Sequence, residues 1–137
     1  MRSEILKDRK ILIVEDDLSS RLYLNKVLER AGAEILNAGD GKEAVKMACE
    51  INDIDLILMD IQLPVMDGYL AAKEIRKSGR QIKIVAQTAY GLSSDMEEIL
   101  DSGFDDYVIK PIYADHLIKK LTELFLSEQA TQDKLKA

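Results

Sequence analysis

The chain has one cysteine, Cys49, one histidine, His116, and no tryptophan. One thiol cannot close an internal disulfide, and one thiol with one imidazole cannot furnish a nitrogen- and sulfur-rich zinc site. Cys49 falls in the helical run from Ala44 to Ile51, where a small buried side chain is expected rather than a reactive thiol. No uncharged apolar stretch approaches the length that spans a bilayer. The N-terminus, MRSEILKDRK, lacks a signal-peptide core and cleavage site. The expectation is a cytoplasmic chain without membrane contact, or one on the cytoplasmic side if cut from a larger anchored protein. Basic residues are the minority: 19 Lys and Arg face 25 Asp and Glu, a net charge of −6. That balance disfavours a nonspecific hold on nucleic acid, and the pair Lys119 and Lys120 reads as a solvated helix face. Neither GxxxxGK[ST] nor a glycine-rich dinucleotide fingerprint is present, so a nucleotide substrate is not indicated.

What is present is a regular alternation. Lys10 to Val14 (KILIV) is a short run suited to a strand buried on both faces. A helix follows, with Leu18, Leu22, Leu28 and Ala31, and Leu24 and Val27 beside them, as its apolar stripe; Gly32 ends it. Ala33 to Ala38 is a weaker strand. Asp40 and Glu43 have capping-box spacing before a helix carrying Ala44, Val45, Met47 and Ala48. Leu56 to Met59 is a third strand with Asp60 at its end, then a turn-rich loop from Gln62 to Gly68 and a helix from Tyr69 to Lys77. Ile82 to Ala86 is a fourth strand, closed by Gln87 and Thr88. Gly91 and Ser93 lead into a helix over Asp95 to Asp101. Tyr107 to Ile109 is a fifth strand, stopped by Lys110 and Pro111, and Leu117, Leu121, Leu124 and Phe125 mark the last helix. Beyond Leu126 the chain turns polar and is expected to fray. This divides 137 residues into an N-terminal extension (1–9), one domain (10–126) and a polar tail (127–137). Five β-α units imply an α/β fold: a mostly parallel sheet between two helical layers.

In such a sheet the ligand crevice lies at the carboxyl ends of the strands. Those ends carry Glu15 and Asp16, Asp60, Thr88, and Lys110. Carboxylates gathered at neutral pH need a cation, a proton or a lysine to be tolerated together. An open, all-oxygen cluster suits Mg²⁺. Lys110 can hold an added anion and Thr88 can donate to it. A carboxylate nucleophile with metal, amine and hydroxyl beside it makes a phosphoryl-transfer site.

Four segments at these positions, ILIVEDD (11–17), LILMDIQLPVMDG (56–68), IVAQTA (84–89) and DDYVIKP (105–111), make the chain resemble the receiver domain of two-component response regulators over nearly its whole length. The resemblance implies a flavodoxin-like (βα)5 three-layer sandwich with strand order 2-1-3-4-5. It implies Asp60 as phosphoacceptor and Asp16 as a direct Mg²⁺ ligand. Glu15 would act mainly through metal-bound water, and Gln62 would contribute its backbone carbonyl. Mn²⁺ is a further candidate ion. Thr88 and Tyr107 are implied as switch residues, Lys110 as the phosphoryl-binding lysine, and Pro111 as the site of a cis peptide bond. The implied partners are a histidine kinase or histidine phosphotransfer domain, and an output protein or domain. The chain would catalyse its own phosphorylation and dephosphorylation without turning over an external substrate. Glu15 stands where Asp is commoner, and Gln87 where many members are apolar. The phrase QTAY resembles receivers of hybrid histidine kinases.

Plainer readings compete at several positions. Asp17 is better read as a helix cap than as a third metal group, and Asp67 with Gly68 as a turn and helix start. Tyr107 can equally be a packing aromatic. Asp105 and Asp106 precede the fifth strand, away from the site, as surface charges or a partner face. Met59, Met66 and Met96 suit packing, and His116 reads as a solvated surface residue rather than a phosphodonor. The rival functions are a pseudo-receiver, which binds partners without phosphorylation, and a small phosphoester hydrolase, for which no leaving-group acid or substrate pocket is apparent.

Overall fold

The computed structural model describes residues 4–89 and 93–136. Gly91 and Tyr90 of the QTAY phrase lie outside the described residues. Five strands, β1 (Lys10–Val14), β2 (Glu34–Ala38), β3 (Leu56–Asp60), β4 (Lys83–Thr88) and β5 (Asp106–Ile109), alternate with α1 (Leu18–Arg30), α2 (Gly41–Glu50), α3 (Gly68–Lys77), α4 (Ser93–Asp101) and α5 (Ala114–Lys136). All pairings are parallel, in the order β2-β1-β3-β4-β5. The flavodoxin-like expectation holds.

Alternation along each strand divides the core in two. Leu12 and Val14 of β1, Ile57 and Met59 of β3, and Ile84 and Ala86 of β4 face one side with α2, α3 and α4 residues Ala44, Ala72, Ile75 and Ile99. Ile11 and Ile13, Leu56 and Leu58, and Val85 face the other, with Leu24, Leu28, Leu117, Leu121 and Phe125 of α1 and α5. A sheet covered on both faces needs continuous apolar runs, which is why β1 and β3 read as KILIV and LILM.

Asp17, Asp40 and Asp67 cap α1, α2 and α3, accepting from the backbone N–H of Ser20, Glu43 and Leu70 at 2.7–2.9 Å. Glu43 reaches back to the Gly39 N–H at 3.1 Å, completing a capping box one residue early. The apolar stripe of α1 differs from the sequence reading. Leu24, Leu28 and Ala31 are buried, whereas Leu18 and Leu22 are each 56% exposed. The 24-28-31 spacing sets the core face, and Leu22 lies about 200° round the helix from Leu24, on the solvent side. Cys49 is also exposed, not buried. The inward face of α2 is set by Gly41, Ala44 and Ala48, and the residue after Ala48 is rotated about 100° away.

The described residues flanking the sheet make further contacts at the N-terminal side. Leu6 is fully buried, and its N–H donates to the Ala31 carbonyl at 2.7 Å. The Arg9 guanidinium lies 4.1 Å from the centre of the Phe125 ring. Residues 4–9 thus close the underside of the sheet beside α1 and α5. The last helix runs past Leu126 to Lys136, through residues that are mostly good helix formers.

Candidate functional site

Parallel register brings the strand ends together. Val14 pairs with Met59, so Glu15 and Asp16 follow directly beside Asp60. Asp60 pairs with Gln87 and Thr88 with Ile109, which sets Thr88 and Lys110 along the same rim. Ligand oxygens of Glu15, Asp16 and Asp60 lie within 4.8 Å of one another; Asp16 is exposed and the other two are buried. Asp60 is 5% exposed. Its Oδ2 accepts from Lys110 Nζ at 2.7 Å, and its Oδ1 accepts from the Gln62 N–H at 3.0 Å. The Lys110 N–H donates to the Thr88 carbonyl at 2.8 Å, and the Lys110–Pro111 peptide is cis.

The charge balance is tense. Burial pushes the Glu15 carboxyl up to about 7, and a hydrogen bond with Asp60 and its charge push the same way against the pull of Lys110. Burial pulls the Lys110 ammonium down, but its bond to Asp60 and the charges of Asp60, Glu15 and Asp16 outweigh this, so its pKa is raised. Glu15 Oε2 is buried without a hydrogen-bond partner, 3.9 Å from Lys110 Nζ. Three converging carboxylates, one with an unpartnered oxygen, fit a hard divalent cation such as Mg²⁺.

The rim opens into a cleft of about 510 Å³ lined by Asp60, Gln62, Asp67, Thr88, Glu98 and Lys110, among others. A larger cavity of about 840 Å³ between α1 and α5 is lined by none of the strand-end residues, so its size carries no weight for the chemistry. Asp17 caps α1, and its pKa is lowered first by the Ser20 N–H. Asp67 lines the cleft but caps α3. Tyr107 sits on β5, half-buried against the α4-side core. His116 is exposed.

Several side chains have roles that sequence reading did not assign. Asp105 is no bare surface charge: its Oδ2 accepts from the Ile84 N–H at 2.8 Å and from Arg76 at 2.7 Å. Arg76 also donates to the carbonyls of Gly103 and Ile82 at 2.8 and 2.7 Å, lashing α3 to the loop before β5. Asp106 belongs to β5 itself and pairs with Lys120 at 3.3 Å. Lys120 therefore folds onto the strand, while Lys119 stays exposed as the solvated-face reading holds. Gln87, the polar departure, is fully buried with neither end of its amide partnered. A lone arginine or lysine in a helix gives no sequence signal of its target. The aspartate pair Asp105 and Asp106 at the start of β5 was the available hint.

The family model of the response regulator receiver domain matches residues 11–122. Two-component system protein A of Emericella nidulans is 35% identical over 127 residues, covering 91% of this chain and 18% of that protein; the chain thus spans less than a fifth of that relative. The receiver domain of the Pseudomonas aeruginosa PAO1 sensor histidine kinase PA1611, solved with a magnesium ion coordinated in the active site cleft, is 36% identical with a TM-score of 0.77, over 87% of this chain and 98% of that one. The receiver domain of Saccharomyces cerevisiae Ssk1, solved with the histidine phosphotransfer protein Ypd1, is 36% identical with a TM-score of 0.80, over 85% and 88%.

Proposed function

The chain belongs to the response regulator receiver domain family, and from that premise we propose that Asp60 accepts a phosphoryl group from a phosphohistidine on a partner protein. The observation that carries this is Asp60 itself: one carboxylate oxygen on Lys110, the other on the Gln62 N–H, at the floor of an open cleft. A carboxylate oxygen of Asp60 attacks phosphorus, the phosphorus–nitrogen bond breaks, and the imidazole takes up a proton as it leaves. Lys110 follows the phosphoryl oxygens, and the Thr88 hydroxyl donates to them. Water later cleaves the acyl phosphate, restoring the carboxylate and releasing inorganic phosphate. Asp16, Asp60 and the Gln62 carbonyl would hold Mg²⁺, with Glu15 acting through its waters. Mn²⁺ suits the same oxygen donors. The bound ion would neutralise charge on the carboxylates and the transferring group.

The donor is proposed to be a histidine kinase or histidine phosphotransfer domain docking beside the cleft. Leu18, Leu22 and Tyr23 of α1 and Tyr113 before α5 are exposed there, and the Tyr23 hydroxyl donates to the Ile112 carbonyl at 3.0 Å, joining these two segments into one surface. Exposed apolar side chains grouped beside a reactive group suit a protein partner better than a small molecule. On phosphorylation Thr88 turns toward the new oxygens, Tyr107 turns inward, and the surface of α4, β5 and α5 changes for an output protein or domain. The complete set of Asp16, Asp60, Thr88 and Lys110 weighs against a pseudo-receiver. The test is transfer from a radiolabelled phosphohistidine phosphotransfer domain. The label should move to wild type in the presence of Mg²⁺ and move much more slowly to Lys110→Ala or without Mg²⁺. Equal transfer in all three would refute the proposal.

A further inference from the structure

Tyr107 lies on the outermost strand, yet its backbone is not left open. Its N–H donates to Asp106 Oδ1 at 2.8 Å and its carbonyl accepts from Lys120 Nζ at 2.9 Å. Asp106 and Lys120 also pair at 3.3 Å. An edge strand ordinarily shows such groups to water or to another chain. Here a side chain of β5 and one of α5 cover both. The same ammonium stands 5.0 Å from the centre of the Tyr107 ring, within cation–π range. The Lys120 side chain is only 21% exposed, and partial withdrawal from water strengthens the pull of a ring face on a cation. Among the described residues no other cation stands over this ring. One lysine thus holds the carbonyl and the ring of the same tyrosine, on the strand's open edge.

We infer that Lys120 is a positioning residue that latches Tyr107 in its outward orientation in the unphosphorylated chain and so sets the basal balance of the switch. The inference rests on the reading above that Tyr107 turns inward. The carbonyl bond survives rotation about the side chain; the ring contact does not. Inward turning therefore forfeits the cation–π contact and nothing else that Lys120 makes. Phosphorylation has to outweigh that contact. Weakening it shifts the balance inward before any phosphoryl group arrives. Asp106 serves the latch by fixing the ammonium at the edge.

The experiment measures the Tyr107 ring populations by NMR couplings to Cγ in the full chain, before and after acetyl phosphate with Mg²⁺. Lys120→Met keeps the apolar stem and removes the charge; Lys120→Gln also removes the charge but keeps a donor for the carbonyl, and carries the test if the methionine variant fails to fold. Before phosphorylation, the inward-to-outward ratio should rise about two- to fivefold in either variant, the span expected of one cation–π contact, and Lys120→Arg should hold the wild-type ratio. An unchanged ratio in the uncharged variants, with or without lost stability, makes Lys120 an edge cover only and overturns the latch. The phosphorylated samples test the underlying reading separately. If acetyl phosphate leaves Tyr107 in place in wild type and variants alike, inward turning is wrong whatever Lys120 does.

Discussion

Gly68 opens α3 immediately below the acceptor strand, and its missing side chain is a steric requirement. A Cβ there would stand 2.5 Å from the Asp60 carbonyl oxygen, 2.7 Å from Ile61 Cα and 3.2 Å from the Asp60 carbonyl carbon. All three are backbone atoms, so no side-chain rotation relieves the overlap. The Gly68 N–H also donates to the Ile61 carbonyl at 2.8 Å, holding the helix start against this loop. Overpacking costs about 1–3 kcal/mol, and rigid neighbours place Gly68→Ala at the upper end. Replacing glycine in a helix returns up to about 1 kcal/mol. The net loss is about 2 kcal/mol, or about 1 M in the urea midpoint for a slope near 2 kcal/mol per M. Because two of the three atoms belong to Asp60, Mg²⁺ affinity and phosphorylation should weaken too. Gly79→Ala is the control: its φ is +85° with nothing within 4 Å of the added carbon. It should cost about 1–2 kcal/mol of backbone strain and leave the site untouched. Urea unfolding and calorimetric Mg²⁺ titration separate the two variants. A Gly68→Ala protein with wild-type midpoint and Mg²⁺ affinity would refute the steric argument.

Asp16→Ala should weaken Mg²⁺ binding by calorimetry more than Asp17→Ala, which should instead lose about 0.5–2 kcal/mol of stability with its cap; equal Mg²⁺ affinity in Asp16→Ala and wild type would remove the ligand assignment. Lys110→Ala should fold but phosphorylate slowly from acetyl phosphate, and Lys110→Arg should not restore the rate, because a planar fork replaces a compact charge. With the Glu15 pKa raised from 4.5 to about 7, the folded, Mg²⁺-free chain binds more protons than the unfolded one between those values. Its stability should therefore rise as pH falls from about 7 toward 4.5, and Mg²⁺ affinity should fall as protons compete. Glu15→Gln should lose that part of both pH dependences, measured as the difference from wild type in urea unfolding and calorimetry; identical profiles would place the titrating group elsewhere.

The fold was legible because its physics repeats. Strands covered on both faces must be apolar throughout, so Ile11–Val14 and Leu56–Met59 stand out from the polar breaks between them. The site was legible for a related reason: parallel strands end on one rim, so Glu15, Asp16, Asp60, Thr88 and Lys110 had to meet once the strands were placed. What stayed hidden depends on helix phase and on reach. Leu18 and Leu22 are apolar but out of phase with the buried residues of α1: Leu22 lies about 200° round the helix from Leu24, and counting leucines without tracking that angle joins two faces into one stripe. Cys49 follows a buried alanine, and one residue decides between core and solvent. Arg76 and Lys120 act through long side chains whose targets lie 27 and 13 residues away in sequence, a distance no local pattern reports. Leu6 stands beside Ile5 in a charged segment, and only packing against α1 and α5 decides that Leu6 is buried while Ile5 is exposed.

The acceptor assignment is tested most directly by intact mass after incubation with acetyl phosphate and Mg²⁺. Wild type should gain one phosphoryl group, about 80 Da, lost again on standing or on mild base, and Asp60→Asn should stay at its starting mass. An Asp60→Asn protein that gains the same mass at the same rate would put the phosphoryl group on another residue and contradict the account.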